Sequence, residues 1–72
     1  MNRQPIESSV IVSAGYDPDT NTMDVEFVSG RVYRYFMIPA ETFEALTKAD
    51  SAGRYFNETI RERFPSQELT EL

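Results

Sequence analysis

The sequence contains no cysteine, no histidine and no tryptophan among its 72 residues, and each absence removes a class of function. Without cysteine there is no disulfide, no thiolate zinc ligand and no thiol nucleophile. Without histidine, the usual general base and the commonest metal ligand are missing as well. Chemistry would have to rely on carboxylates, tyrosines, hydroxyl groups, arginines and the single lysine, Lys48. We therefore expect a protein that is not an enzyme and that holds no cofactor and no metal.

Positive charge is also scarce. Seven basic residues stand against twelve acidic ones, so the net charge is −5 and the chain as a whole does not attract nucleic acid or an anionic membrane. Six of the seven basic residues are arginines; two lie at positions 31 and 34, and three more between positions 54 and 63. These arginines either form a local basic face or pair with the surplus carboxylates.

Long hydrophobic runs are absent. The first nine residues lack the apolar core of a signal peptide, and no apolar run approaches the ~20 residues of a membrane span. At 40% hydrophobic and 26% charged residues, the composition is that of a folded globular domain, and the length suits one domain. We expect a cytoplasmic protein that makes no contact with a membrane.

Alternation of apolar and polar residues predicts three strands. The first covers residues 8–16 and the second residues 22–28, with the turn formers Asp17-Pro18-Asp19-Thr20-Asn21 between them. The third strand ends before Pro39, which cannot continue it. In the first strand the residues that share one face are Val10, Val12, Ala14 and Tyr16.

The turn at Ser29-Gly30 leaves two registers open for the third strand. A two-residue loop would put Arg34 on the core face of the sheet. A three-residue loop, with Gly30 in the left-handed conformation, pairs Phe27 with Arg31 and turns every side chain of the third strand over. We favour the three-residue loop because it leaves Arg34 outside the core. The residues it directs to the core are Tyr33, Tyr35 and Met37.

Two helices are predicted after the strands. The first spans residues 40–49, and the second spans residues 52–64, with Ser51 as its N-cap and Pro65 at its end. Gly53 weakens the first turn of the second helix, so we expect a close approach of that helix to the sheet. The apolar stripes of both helices need the apolar face of the sheet.

The predicted fold is α+β, a three-stranded antiparallel β-meander followed by two α-helices packed on one sheet face. The folded domain is expected to span residues 8–64. Residues 1–7 are expected to be a flexible lead, and residues 65–72 a flexible acidic tail.

Several segments of the chain resemble the KTSC domain. They are Ser8-Ser9, Gly15-Tyr16-Asp17, Tyr33-Arg34-Tyr35 and the run Ser51-Ala52-Gly53-Arg54-Tyr55-Phe56-Asn57. This module of similar length occurs at the C-terminus of some lysyl-tRNA synthetases and as a stand-alone bacterial protein, and the resemblance covers roughly residues 8–64. It implies a family without an established function, for which RNA binding has been proposed from domain context. Because the chain resembles the stand-alone form, a role in tRNA charging is not implied.

The segment Tyr33-Arg34-Tyr35 is the first candidate site. An aromatic and basic strand can stack bases and contact phosphates. Alternatively, both tyrosines belong to the core and Arg34 points outward beside Asp24 and Glu26, whose carboxylates would offset its attraction for phosphate.

The start of the second helix is the other candidate site. Arg54 and Arg61 are seven residues apart on one helical stripe, and Asn57 lies between them. Ser51 caps the helix and Gly53 allows a ligand to approach, so this face would suit a phosphate or another anion. The alternative is a solvated face on which Glu58 pairs with the two arginines.

Two functions fit these features. One is a small non-catalytic module that binds RNA through arginine and aromatic side chains, which the arginine-rich helix and the resemblance favour. The other is a protein–protein interaction module that uses the exposed sheet face or the edge of the third strand to bind a partner or a second copy of itself. The net negative charge favours the second function.

Overall fold

The computed structural model describes residues 2–70, which form a five-stranded antiparallel sheet and two helical segments. The strands are β1 (Gln4–Pro5), β2 (Ile11–Asp17), β3 (Thr22–Phe27), β4 (Val32–Tyr35) and β5 (Ser66–Glu68). The helical segments are α1 (Ala40–Lys48) and α2 (Ala52–Tyr55), the latter continued by a π turn (Phe56–Ile60). Spatial order follows chain order, from β1 to β5. The predicted α+β class is confirmed.

The number of strands is larger than predicted. The two additional strands, β1 and β5, arise from the segments expected to be a polar lead and tail, and they pair with β2 and β4 respectively. With two and three residues, they are too short for a visible alternation, and they form because β2 and β4 would otherwise present unpaired backbone groups at both sides of the sheet. The flexibility of the two flanking segments and the domain limits at residues 8 and 64 stay predictions.

The β3–β4 turn has the three-residue form that we favoured. Gly30 has a φ of 94°, and the Phe27 N–H donates to the Arg31 carbonyl over 2.9 Å. Tyr33 consequently lies opposite Val25, where it packs against the core, and Tyr35 is buried.

Met37 departs from the expected pattern. It was expected on the core face, but it is 72% exposed and has a φ of 62°. The strand ends at Tyr35, and the left-handed residue redirects the chain so that Ile38 is fully buried. The period of two therefore ends before Met37.

A bulge between Ile11 and Ser13 changes the predicted alternation of the first strand. Ala14 is on the core face as expected, but Val10 and Val12 are exposed and Ile11 is fully buried in their place. An extra residue in one strand reverses the sheet face toward which all the residues beyond it along that strand point. The predicted face is therefore correct only beyond the bulge.

The helices and the sheet share one apolar layer. Leu46 from α1 and Phe56 and Ile60 from the π turn pack with Met23 and Val25 of the sheet. None of the helices between residues 2 and 70 is long and apolar enough to cross a membrane.

The second helix starts as predicted but does not remain α-helical. The Ser51 hydroxyl accepts a hydrogen bond from the Arg54 N–H over 3.3 Å, which confirms the N-cap. A Cβ on Gly53 would lie 3.2 Å from Cγ2 of Val10, so the helix approaches closely the segment that precedes β2 and not the sheet itself. From Phe56 onward the winding widens to a π turn, and the residues after it form turns rather than the helix predicted to residue 64.

Candidate functional site

An open groove of about 460 Å³ lies between the β3–β4 hairpin and the π turn. Its apolar lining comes from Val10, Phe27, Val28 and Phe56. Its polar lining includes the side chains of Tyr33, Tyr35, Asn57 and Arg61. Four of the predicted site residues are thus brought together, although the sequence analysis had divided them between two separate candidate sites.

Four aromatic rings form a continuous cluster along the groove. Phe56 makes edge-to-face contacts with Phe27 and with Tyr35, each with ring centroids 5.3 Å apart. Phe27 also meets Tyr33 edge to face at 5.8 Å. Such contacts stabilise the rings beyond the area they bury, so the aromatic side of the groove is held in place before any ligand arrives.

Tyr35 combines a buried ring with a hydroxyl that is open to the groove. The residue is only 5% exposed, and its hydroxyl has no hydrogen-bond partner among residues 2–70. No fully buried side-chain nitrogen or oxygen in that part of the chain lacks a partner, so this hydroxyl must reach solvent. Burial raises the pKa of Tyr35; Tyr33 adds to the rise and Arg61 opposes it. At neutral pH the hydroxyl therefore keeps its proton and can donate a hydrogen bond.

The π turn places Asn57 and Arg61 on the groove. The Arg61 N–H donates to the Phe56 carbonyl over 3.0 Å, five residues back instead of four. Phe56 and Ile60, four residues apart, face the core, and Asn57 and Arg61, with the same spacing, line the groove. Within residues 2–70 the Arg61 guanidinium forms no ion pair.

The same winding separates Arg54 from this pair. The predicted stripe of Arg54, Asn57 and Arg61 assumed α-helical spacing throughout, whereas the spacing changes at Phe56. Arg54 is exposed on α2 and does not line the groove. The alternative pairing of Glu58 with the two arginines does not occur among the described residues either.

Ser51 and Gly53 have structural environments outside the groove. Ser51 caps α2, and Gly53 is buried against Val10 and Ser8. Neither residue lines the groove. A binding role for Ser51, Gly53 or Arg54 stays a prediction.

Arg34 lies on the opposite face of the sheet, where it is bound by Asp24. Its Nε donates to Oδ1 over 2.8 Å and its Nη2 to Oδ2 over 3.0 Å, a bidentate arrangement. The hydrogen bond to Asp24, followed by the attraction of the two charges, raises the pKa of Arg34. The outward position beside Asp24 is confirmed, and the paired carboxylate offsets the attraction of Arg34 for phosphate.

The sequence analysis missed the apolar rim of the groove. Val28 is 61% exposed and Val10 is 37% exposed, and the Val28 N–H donates to the Val10 carbonyl over 2.9 Å. The signal available in the sequence was a valine directly before a turn, a place where polar residues are usual. Nothing local indicated that Val10 would be its neighbour, because the bulge in β2 determines which residues face the groove.

No group of three or more acidic side chains within residues 2–70 is arranged to hold a metal ion. The expectation that the protein needs neither metal nor cofactor stays a prediction.

Comparison with known proteins identifies the family. The KTSC domain model matches residues 7–64 of the chain. The chain belongs to the KTSC domain family. The resemblance noted from the sequence segments is thereby confirmed.

Relatives of this KTSC domain include both short proteins and a longer one. An uncharacterized protein of Stutzerimonas stutzeri is 46% identical over 61 residues, which are 85% of this chain and 86% of that protein. A lysine–tRNA ligase of Nostoc punctiforme is 41% identical over 64 residues, which are 89% of this chain but only 11% of the ligase. The crystal structure of a KTSC domain protein from Yersinia pestis is similar to 96% of this chain and 97% of its own, with a TM-score of 0.93 and 33% identity.

Proposed function

We propose that this KTSC domain is a cytoplasmic, non-catalytic module that binds single-stranded RNA in the groove. The observation that carries the proposal is the convergence of a fixed aromatic cluster, the open Tyr35 hydroxyl, the Asn57 side chain and the Arg61 guanidinium. Single-stranded RNA is recognised by contact of unstacked bases with aromatic and guanidinium groups and by hydrogen bonds to base edges. Each of these groups is present in the groove.

The distribution of charge supports a local contact. The net charge of −5 repels RNA from the molecule as a whole, and Arg34 is paired with Asp24 on the other sheet face. Binding through Arg61 alone would involve few phosphates, which predicts weak affinity and a shallow dependence on salt.

The relatives also support the proposal. A KTSC-like stretch forms part of the lysine–tRNA ligase of Nostoc punctiforme, a protein that by its name acts on a transfer RNA. The matched stretch is 11% of that ligase, so the comparison supports contact with RNA and does not extend to the ligase reaction.

Protein binding is the second candidate function, and the exposed Val28 favours it. An apolar side chain of a partner could cover Val28 and Val10 at the rim of the groove. The edge of β4, one of the two expected docking places, is already paired with β5. The two functions differ in salt dependence, because removal of apolar surface from water does not weaken as salt rises.

The test compares two arginine variants with the same change in charge. Arg61→Gln removes the guanidinium that lines the groove, whereas Arg54→Gln removes an exposed one outside it. With a fluorescently labelled single-stranded RNA of mixed sequence at low salt, we expect Arg61→Gln to lower the affinity about tenfold. That is the loss in affinity expected when one hydrogen bond to a charged group is removed. Fluorescence anisotropy measures both affinities, and far-ultraviolet circular dichroism verifies that both variants fold.

The matched variant makes the result decisive. Arg54→Gln should change affinity by less than about twofold, because a screened surface charge outside the contact contributes little. Absence of binding by the unmodified protein at low salt, or an equal loss in both variants, would overturn RNA binding in the groove.

A further inference from the structure

We infer that the groove is a site for one nucleotide, with the base against the aromatic and apolar lining and the phosphate at Arg61. This inference rests on the proposed function and specifies the unit of RNA that is recognised. It follows from the size of the groove, the number of available cations and the placement of the polar groups.

The size of the groove suits a single nucleotide. A volume of about 460 Å³ is within the range of sites for small molecules, which is ~300–1,000 Å³. The groove is closed on one side by the packed rings of Phe27 and Phe56 and at its rim by Val10 and Val28. A base has an apolar face that can lie against such a surface, whereas a double helix could not enter it.

The charges near the groove allow for one phosphate. Arg61 is the cation among the described residues that line it. Arg31, on the neighbouring hairpin, forms an ion pair with Glu68 over 3.3 Å, and Arg34 is paired with Asp24 on the other face. The Glu68 carboxylate also accepts a hydrogen bond from the Tyr33 hydroxyl over 3.3 Å, so it is bound by two residues of the hairpin. One phosphate on Arg61 predicts a slope near −0.7 for log affinity against log salt concentration.

The polar groups are suited to the edge of a base. The Asn57 amide offers a donor and an acceptor, and neither makes a hydrogen bond within residues 2–70. The Tyr35 hydroxyl adds a donor that is held in position by its buried ring. Donors and acceptors on a rigid frame are what hydrogen bonding to the Watson–Crick edge of an unstacked base requires.

The experiment titrates the isotope-labelled protein with adenosine monophosphate, cytidine monophosphate, the two corresponding nucleosides and inorganic phosphate, and follows amide NMR signals. We expect at least one of the two nucleotides to shift the signals of Tyr35, Asn57 and Arg61. The nucleoside of that base should bind about tenfold more weakly, because it lacks the phosphate. In Arg61→Gln the nucleotide and its nucleoside should bind alike, whereas Arg54→Gln should retain the difference.

Each other outcome has a definite meaning. Equal shifts with inorganic phosphate alone would overturn the base contact, and equal affinities for nucleoside and nucleotide in the unmodified protein would overturn the role of Arg61. RNA binding that depends on Arg61, with no groove shifts from either nucleotide, would overturn the one-nucleotide site and leave the proposed function intact. Groove shifts from a nucleotide without any RNA binding would support the site but assign it to a free nucleotide, and RNA binding would fail.

Discussion

At the scale of single residues, Tyr35 connects the core to the groove. Its ring packs edge to face on Phe56 at 5.3 Å, and its hydroxyl remains open to the groove. The burial of this ring was predictable from the sequence, because the other register of the hairpin would have buried Arg34, and an unpaired buried charge is far more costly than a buried tyrosine. That the hydroxyl would share a groove with Arg61 was not predictable from the strand.

The raised pKa of Tyr35 predicts a loss of stability in alkaline solution. The folded protein keeps the Tyr35 proton at a pH where the unfolded chain, with an ordinary tyrosine pKa of about 10, has released it. The stabilising effect is therefore complete below about pH 10 and is lost as the pH rises through the folded-state pKa. Urea denaturation at a series of pH values, compared between the unmodified protein and Tyr35→Phe, measures the contribution of this residue.

The comparison isolates Tyr35 from the other tyrosines of the chain, which are present in both proteins. Relative to the unmodified protein, Tyr35→Phe should gain stability as the pH rises above about 10, since phenylalanine has no proton to lose. A constant difference in the free energy of unfolding over this pH range would contradict the assigned environment of Tyr35.

At the scale of elements, the π turn has the greatest influence on the candidate site. Phe56 and Ile60 are four residues apart in the sequence, and both are buried. The same spacing is compatible with an α-helix and with a π turn, so the sequence did not distinguish them. The five-residue hydrogen bond from Arg61 to Phe56 marks the change in winding, and Asn57 and Arg61 line the groove after it whereas Arg54, before it, does not.

The strand β5 provides a second prediction at this scale. The hydrogen bonds from Phe36 to Pro65 and from Leu69 to Val32 direct the N–H of Gln67, which lies opposite Arg34, toward β4. Gln67→Pro removes that donor, and we expect it to detach β5 and to lower the free energy of unfolding by about 1–2 kcal/mol. Urea denaturation measures the loss, and amide NMR of Leu69 reports whether the strand has separated.

Gln67→Ala is the matched control, because it removes an exposed side chain and keeps the backbone donor. It should stay within about 0.5 kcal/mol of the unmodified protein. If both variants have the same stability, the contribution assigned to the β4–β5 ladder is wrong.

At the scale of the whole molecule, the arginines divide into two groups. Those of the sheet are paired: Arg31 with Glu68 and Arg34 with Asp24, while Arg3 lies 3.9 Å from Glu26. Those between positions 54 and 63 form no ion pair among the described residues. The sequence allowed the arginines either to pair with carboxylates or to form a local basic face, and each interpretation applies to a different part of the fold. A local cationic contact therefore coexists with a net charge of −5.

The architecture of the sheet predicts a gradient of local stability. The amides of β3 lie between two strands over an apolar core, whereas Ile6 donates to Val12 and Leu69 donates to Val32 at the two outer sides of the sheet. Native-state hydrogen exchange should therefore show β3 exchanging through global unfolding, with Ile6 and Leu69 exchanging through local opening at lower free energy. Equal protection at all three places would contradict the prediction that the flanking segments are flexible.

Local patterns in the sequence determined much of this protein. The α+β class, the turn at Gly30, the N-cap at Ser51 and the family membership were all predicted and are confirmed. Each of these depends on residues that are close in the chain or on the high cost of burying a charge, so a short segment is enough to specify it.

Only the tertiary structure decided the outer strands, the bulge in β2, the π turn and the groove. The outer strands form because the backbone groups of β2 and β4 need hydrogen-bond partners. Backbone groups of almost any residue can fill that role, so these short strands leave no side-chain pattern in the sequence. The groove joins the hairpin to residues of the π turn more than twenty positions away in the chain. Its chemistry is set by which side chains the packed core leaves at the surface, and that is determined by the fold as a whole.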